Sequence, residues 1–318
     1  MILVPVLLVT VSAHLNCLAD ALLGSEGVSM YKRGDFSYES RNPEIWGTIS
    51  SNYTLCKEGK YQSPINFEDE GMLGEKKFEE NWSDFVTGAI IGNAEGHATK
   101  VELPKGSTSS ILPFDTKESY KLLQFHFHVP SEHHREEEGF PIEVHFVHAT
   151  PNKDLAVVGF WFYLSETSTP FLNAVLDKGF PKHEEVNIPL DTIDFRSVKD
   201  NIRSSKFWSY DGSLTTPPCS EGVKWAVSDT PLPISIKHYE GLRKSMKFGA
   251  RPTQKNASKV KGSEAKDHSG HGEAKEHTSH KVIKSNVGLG EPFGSSLESG
   301  SSELFSLFGT LVAFSIMF

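Results

Sequence analysis

The chain reads as a mixed α+β, sheet-dominated fold, with a large, twisted, mostly antiparallel central β-sheet and short peripheral helices. Three observations predict it. The run AVVGFWFYL at 156–164 is apolar on both faces, as in a central strand covered on two sides, which implies a large sheet. LLQFHFH at 122–128 and IEVHFVH at 142–148 are strand-like runs bounded by Pro, Gly or polar clusters. Helical patterning is confined to two short stretches, 169–176 and 236–246, the first with a Thr cap and an early Pro.

In chain order, the first nineteen residues come first: they are apolar, and no charge appears before Asp20. The core ILVPVLLVTV is short for a membrane span and suits a signal peptide at 1–19, followed by an N-terminal extension at 20–34. Removing that peptide removes Cys17. Cys56 and Cys219 remain; in a secreted chain the economical reading is a disulfide, the other being two buried free thiols. Asn52, Asn81 and Asn256 each open an N-x-Ser/Thr sequon, consistent with glycosylation of a secreted protein.

The folded domain is expected over 35–254, with strands near 100–103, 122–128, 142–148 and 155–164. Beyond Gln254 the composition turns to Lys, Glu, Gly, Ser and His, so 255–293 is expected to be a disordered tether. Its histidines His268, His271, His277 and His280 read as solvated spacer, with loose metal binding the alternative. At 294–318, small residues, a polar spacer and a terminal apolar run match a signal for a GPI anchor. A transmembrane helix would want roughly 20 apolar residues with basic residues beyond them, and neither is present. The whole implies a protein on the extracellular face of the plasma membrane, or a secreted one if the tail is no anchor signal. A net charge of -9 argues against a nucleic-acid binder, which needs basic patches to neutralise phosphate.

Strand parity organises the chemistry. His126 and His128 lie two apart and share a face, while Phe125 and Phe127 point away into a core. Gln124 and Glu143 stand two residues before His126 and His145, placed to hydrogen-bond their rings and fix their tautomers. Three neutral imidazoles with an open fourth position suit a catalytic zinc better than a structural one. His148 falls off that face and reads as structural.

The motifs QFHFH, SEH, EVHFVH and SLTTPP, with YQSPINF at 61–67, resemble the α-class carbonic anhydrases over roughly 36–254. The resemblance implies that fold, one zinc held by His126, His128 and His145, and reversible hydration of carbon dioxide to bicarbonate by attack of zinc-bound hydroxide. It implies that Thr215 orients the hydroxide and donates its own proton to Glu132, and that His97 shuttles protons to solvent. It also places Val147, Val157, Leu214, Thr216, Val223 and Trp225 in the substrate pocket. His133 is expected to hydrogen-bond structurally and His134 to be a solvated loop residue. The short loop from His128 to Glu132 is more like bacterial and algal members, Phe36 replaces a usual Trp, and Lys100 stands where Asn or Gln is usual. The competing functions are a non-catalytic binding module on the same fold and a metal-buffering surface protein.

Overall fold

The computed structural model describes residues 36–68, 73–94, 98–181 and 187–257. The expected signal peptide, the extension, His97, the tether from 258 onward with its four histidines, and the anchor signal lie outside the described residues.

Among the described residues a twelve-stranded sheet dominates. Its middle runs, in spatial order, Ala98–Glu102, Tyr120–His128, Ile142–Ala149, Leu155–Ser165, Glu221–Ser228 and Phe207–Ser213. Neighbours in that row are antiparallel except Leu155–Ser165 and Glu221–Ser228, which pair in parallel. The sheet is therefore large, twisted and mostly antiparallel, as expected. Ile142–Ala149 is buried at every position, because it has a long strand on each side and a packed layer on each face.

The two faces carry different cores. One packs Phe125, Phe127, Val144, Phe146 and Phe160 against the helices Pro170–Leu176, Arg196–Ser204 and Ile236–Met246. Each phenylalanine so buried contributes about 1.5–3 kcal/mol relative to leaving it in water. The other face gathers Val147, Val157, Trp161, Trp208, Tyr210, Leu214, Val223 and Trp225. A small third cluster joins Phe36, Trp46, Tyr53 and the two cysteines.

Both expected helices form. Thr169 accepts a hydrogen bond from the Leu172 amide at the start of the first, with Pro170 in its first turn. Ser235 caps the second by accepting from the His238 amide. The helix Arg196–Ser204 was not expected; its inward stripe is thin, with Val198 and Ile202 its buried apolar residues. Strands Phe207–Ser213 and Glu221–Ser228 also escaped the pattern, because glycine and charged residues interrupt their alternation. His134 is half-buried in a two-residue strand, His134–Arg135, that pairs with Asn66–Phe67; it is not the solvated loop residue expected, because that parallel pairing draws it out of the loop.

The register of the two histidine strands places the site. His145 sits opposite His126, Glu143 opposite His128 and Val147 opposite Gln124, so all six share one face. The register then shifts between Val147 and His148, a bulge that takes up Leu123 and leaves His148 opposite Leu122 on the helix side. There His148 is fully buried and stacks on Trp82, with ring centroids 5.6 Å apart. It is off the ligand face, as parity requires.

Candidate metal centre

Each of the three imidazoles has one ring nitrogen held from outside. His126 Nδ1 donates to Gln124 Oε1 at 2.9 Å, His128 Nδ1 to the Gly249 carbonyl at 2.8 Å, and His145 Nε2 to Glu143 Oε1 at 2.8 Å. All three partners are acceptors, which fixes the tautomers and leaves a lone pair on His126 Nε2, His128 Nε2 and His145 Nδ1. The three rings can each offer a ligand atom within 4.8 Å of the others. His128 Nε2 is buried without a hydrogen-bond partner, as is Glu132 Oε2 3.3 Å from it. Buried lone pairs left unmatched are costly unless something binds them, so the donor set fits a zinc ion.

Burial lowers His126 well below the ordinary imidazole value, and its neighbours His128, His145 and Lys100 add to the effect. Burial also takes His145 down to about 4, although Glu143 opposes it. Neutral rings are the form that ligates metal.

Glu143 does more than orient His145. Burial alone would raise its carboxyl, but His133 and His145 hold it well below the usual carboxylate range. Oε1 lies 2.7 Å from His133 Nδ1, and Oε2 accepts from the backbone amides of Glu132 and His133 at 2.9 and 2.8 Å. His133, Glu143 and His145 could themselves offer metal ligands, but these hydrogen bonds already occupy the atoms. The chain continues from His133 Nε2 to the Tyr210 hydroxyl at 2.6 Å, which donates to Ser63 Oγ. This is the structural hydrogen-bonding role expected of His133. Gly159, opposite His145, makes room for it: a Cβ there would stand 3.2 Å from both Glu143 Oε1 and Val227 Cγ2.

Beside the imidazoles, Thr215 and Glu132 are both buried, and Thr215 lies close enough to the carboxylate to act on its pKa. Burial raises the Glu132 pKa above its ordinary value, opposed by His128, the Arg251 amide and Thr215. Val147, Val157, Leu214, Val223 and Trp225 belong to one apolar cluster on the site's face of the sheet. Trp225 is 4.8 Å from the His145 ring, and Thr216 is buried next to Thr215. Lys100 faces His126 across the strands, is buried, and pairs with Glu102 at 2.8 Å.

Cys56 and Cys219 form the disulfide. The sequons divide: Asn52 and Asn81 are exposed, whereas Asn256 already donates its side-chain amide to the carbonyls of Gln62 and Asp211. A cavity lined by Phe78, Ile111, Ala156 and Val158 includes none of the site's histidines but shares Val157, Tyr210 and Trp225 with the residues around them.

Sequence reasoning missed Gly249, Arg251, Tyr210 and Ser63. No spacing rule reaches them, since His128 and Gly249 lie 121 residues apart.

Comparison with known proteins converges on one family. Residues 41–262 match the family model described as eukaryotic-type carbonic anhydrase. Alpha carbonic anhydrase 8 of Arabidopsis thaliana is 33% identical over 228 residues, covering 69% of this chain and 58% of that protein's length. A carbonic anhydrase of Pectobacterium atrosepticum is 33% identical over 208 residues, covering 64% of this chain and 79% of its own. The solved fungal alpha carbonic anhydrase from Aspergillus oryzae superimposes with a TM-score of 0.63 at 34% identity, over 69% of this chain and 92% of that one.

Proposed function

The chain belongs to the α-carbonic anhydrase family, and on that premise we propose that it is a zinc enzyme hydrating carbon dioxide reversibly to bicarbonate. The observation that carries this reading is the convergence of three imidazoles whose outer nitrogens are all engaged and whose inner ones are free. A zinc ion held there by His126, His128 and His145 would lower the pKa of a bound water to about 7, as it does in carbonic anhydrases.

The protein's own groups do the rest. In this reading the Thr215 hydroxyl donates to Glu132, so its oxygen is left to accept a hydrogen bond from the attacking oxygen. That turns a lone pair of the nucleophile toward the apolar wall. Val147, Val157, Leu214, Val223 and Trp225 offer a small apolar substrate a surface that does not compete with water. Groups preorganised in this way cost no reorganisation during the reaction. We assign proton export to His97, on its match to the family's shuttle position.

The ends of the chain complete the proposal: a removed signal peptide at 1–19, a tether at 255–293 and a GPI signal at 294–318, placing the enzyme on the outer face of the plasma membrane. Two variants test the chemistry. His128→Ala is expected to lose both zinc and hydration. His97→Ala is expected to keep zinc, to slow turnover only in weak buffer, and to recover with added imidazole. Retention of stoichiometric zinc by the first, or an unchanged weak-buffer rate in the second, would remove the corresponding role.

A further inference from the structure

Arg251 is 2% exposed, and its charge is not matched by any carboxylate within ion-pair distance among the described residues. Burial lowers its pKa to about 10, opposed by Glu132, so it remains a cation at neutral pH. Burying a guanidinium is costly unless its donors are satisfied. Here three of them meet backbone and amide oxygens, while Nε is buried without a partner: Nη1 donates to Gln62 Oε1 at 3.0 Å and to the Ser63 carbonyl at 2.7 Å, and Nη2 donates to the Cys56 carbonyl at 2.8 Å. The residue's own backbone amide donates to Glu132 Oε1 at 2.9 Å. Two residues earlier, the Gly249 carbonyl holds His128.

The segment gripped by the guanidinium leads to the other half of the site. Cys56 is bonded to Cys219, whose amide donates to the Thr216 carbonyl at 2.9 Å. Gln62 Nε2 donates to the Cys219 carbonyl at 3.1 Å. Ser63 and Ser213 exchange two hydrogen bonds, the Ser63 amide to Ser213 Oγ and the Ser213 amide to Ser63 Oγ. Segment 213–219, which carries Thr215, is thus fastened to 56–63 at three points, and 56–63 is fastened to Arg251. Thr215 and Glu132 close the circuit.

We propose that the Arg251 side chain is a positioning residue for the proposed reaction: by clamping the disulfide-held segment 56–63, it sets Thr215 against Glu132. The proposal rests on the role given to Thr215 above. It assigns the buried cation a task that packing alone does not require, since an apolar side chain of similar volume would fill the space without three directed hydrogen bonds. Lysine keeps the charge but not the planar fork that reaches three acceptors.

The experiment uses the full zinc-loaded protein with Arg251→Lys, Gln62→Leu, Thr215→Ala and each of the first two combined with the third. Gln62→Leu cuts the same circuit at its middle and guards against misfolding of Arg251→Lys. Each is expected to keep one zinc per chain and to lose about tenfold in kcat/KM, the scale of a small misplacement of a reacting group. In the Thr215→Ala background that loss is expected to shrink to less than about twofold, because both changes act on one orientation. Amide hydrogen exchange across 213–219 is expected to quicken about tenfold in the metal-free and loaded protein alike, while Ile142–Ala149 stays protected. A full tenfold loss repeated in the Thr215→Ala background, unchanged kcat/KM, unchanged exchange at 213–219, or loss of zinc would overturn the proposal alone. Full activity in Thr215→Ala would overturn the reading beneath it and the proposal with it.

Discussion

At the scale of single residues, the site depends on keeping imidazoles neutral inside the protein. Burial lowers His126, His145 and His148, the last two to about 4 and about 3, while an unfolded histidine titrates near 6.5. Below that value the unfolded chain binds more protons than the folded one, so stability falls as pH drops from about 6.5 toward 4. Glu143, whose folded pKa is lowered, adds a loss in the same direction below about 4.5. Glu132, whose pKa is raised, works the other way and offsets part of it. The metal-free protein is therefore expected to melt at progressively lower temperature between pH 6.5 and 4, and zinc to be released over the same range. A melting temperature flat across that interval would contradict the assignment of neutral buried rings.

Elements decide which residues meet, and here the limits of sequence reading are physical. The parity of His126 with His128, and of Glu143 with His145, was legible because a strand repeats every two residues. The apolar run ending at Leu164 announced a central strand for a different reason, since it shows no alternation and so is apolar on both faces. What stayed hidden came from elements far apart in the chain: Gly249 and Arg251 behind His128 and Glu132, Tyr210 and Ser63 behind His133. Gly159 was equally silent, since its role is to leave space for the Glu143 carboxylate from the neighbouring strand. Gly159→Ala is expected to cost about 1–3 kcal/mol of stability, the usual range for overpacking, and to weaken zinc binding by displacing Glu143. Denaturant unfolding together with a zinc titration checks both; unchanged values would show that the neighbouring strand yields without disturbing Glu143. The disulfide closes a separation of 163 residues and, by restricting the unfolded chain, contributes about 5 kcal/mol at most.

For the whole molecule, one sheet separates a large helix-covered core from the face that carries the metal centre. The family match spans residues 41–262. Intact mass and peptide mapping of the mature chain are expected to find it trimmed near Ala19, trimmed within 294–318 and carrying a glycolipid. Recovery of the untrimmed tail would end the anchor proposal without touching the chemistry. The central claim is tested by measuring zinc content and carbon dioxide hydration by stopped flow on the same purified protein, before and after chelation and zinc restoration. The account predicts one zinc per chain, hydration that disappears with the metal, and recovery when it is restored. A protein that binds no zinc, or binds it at the three histidines and leaves carbon dioxide unhydrated, would contradict it.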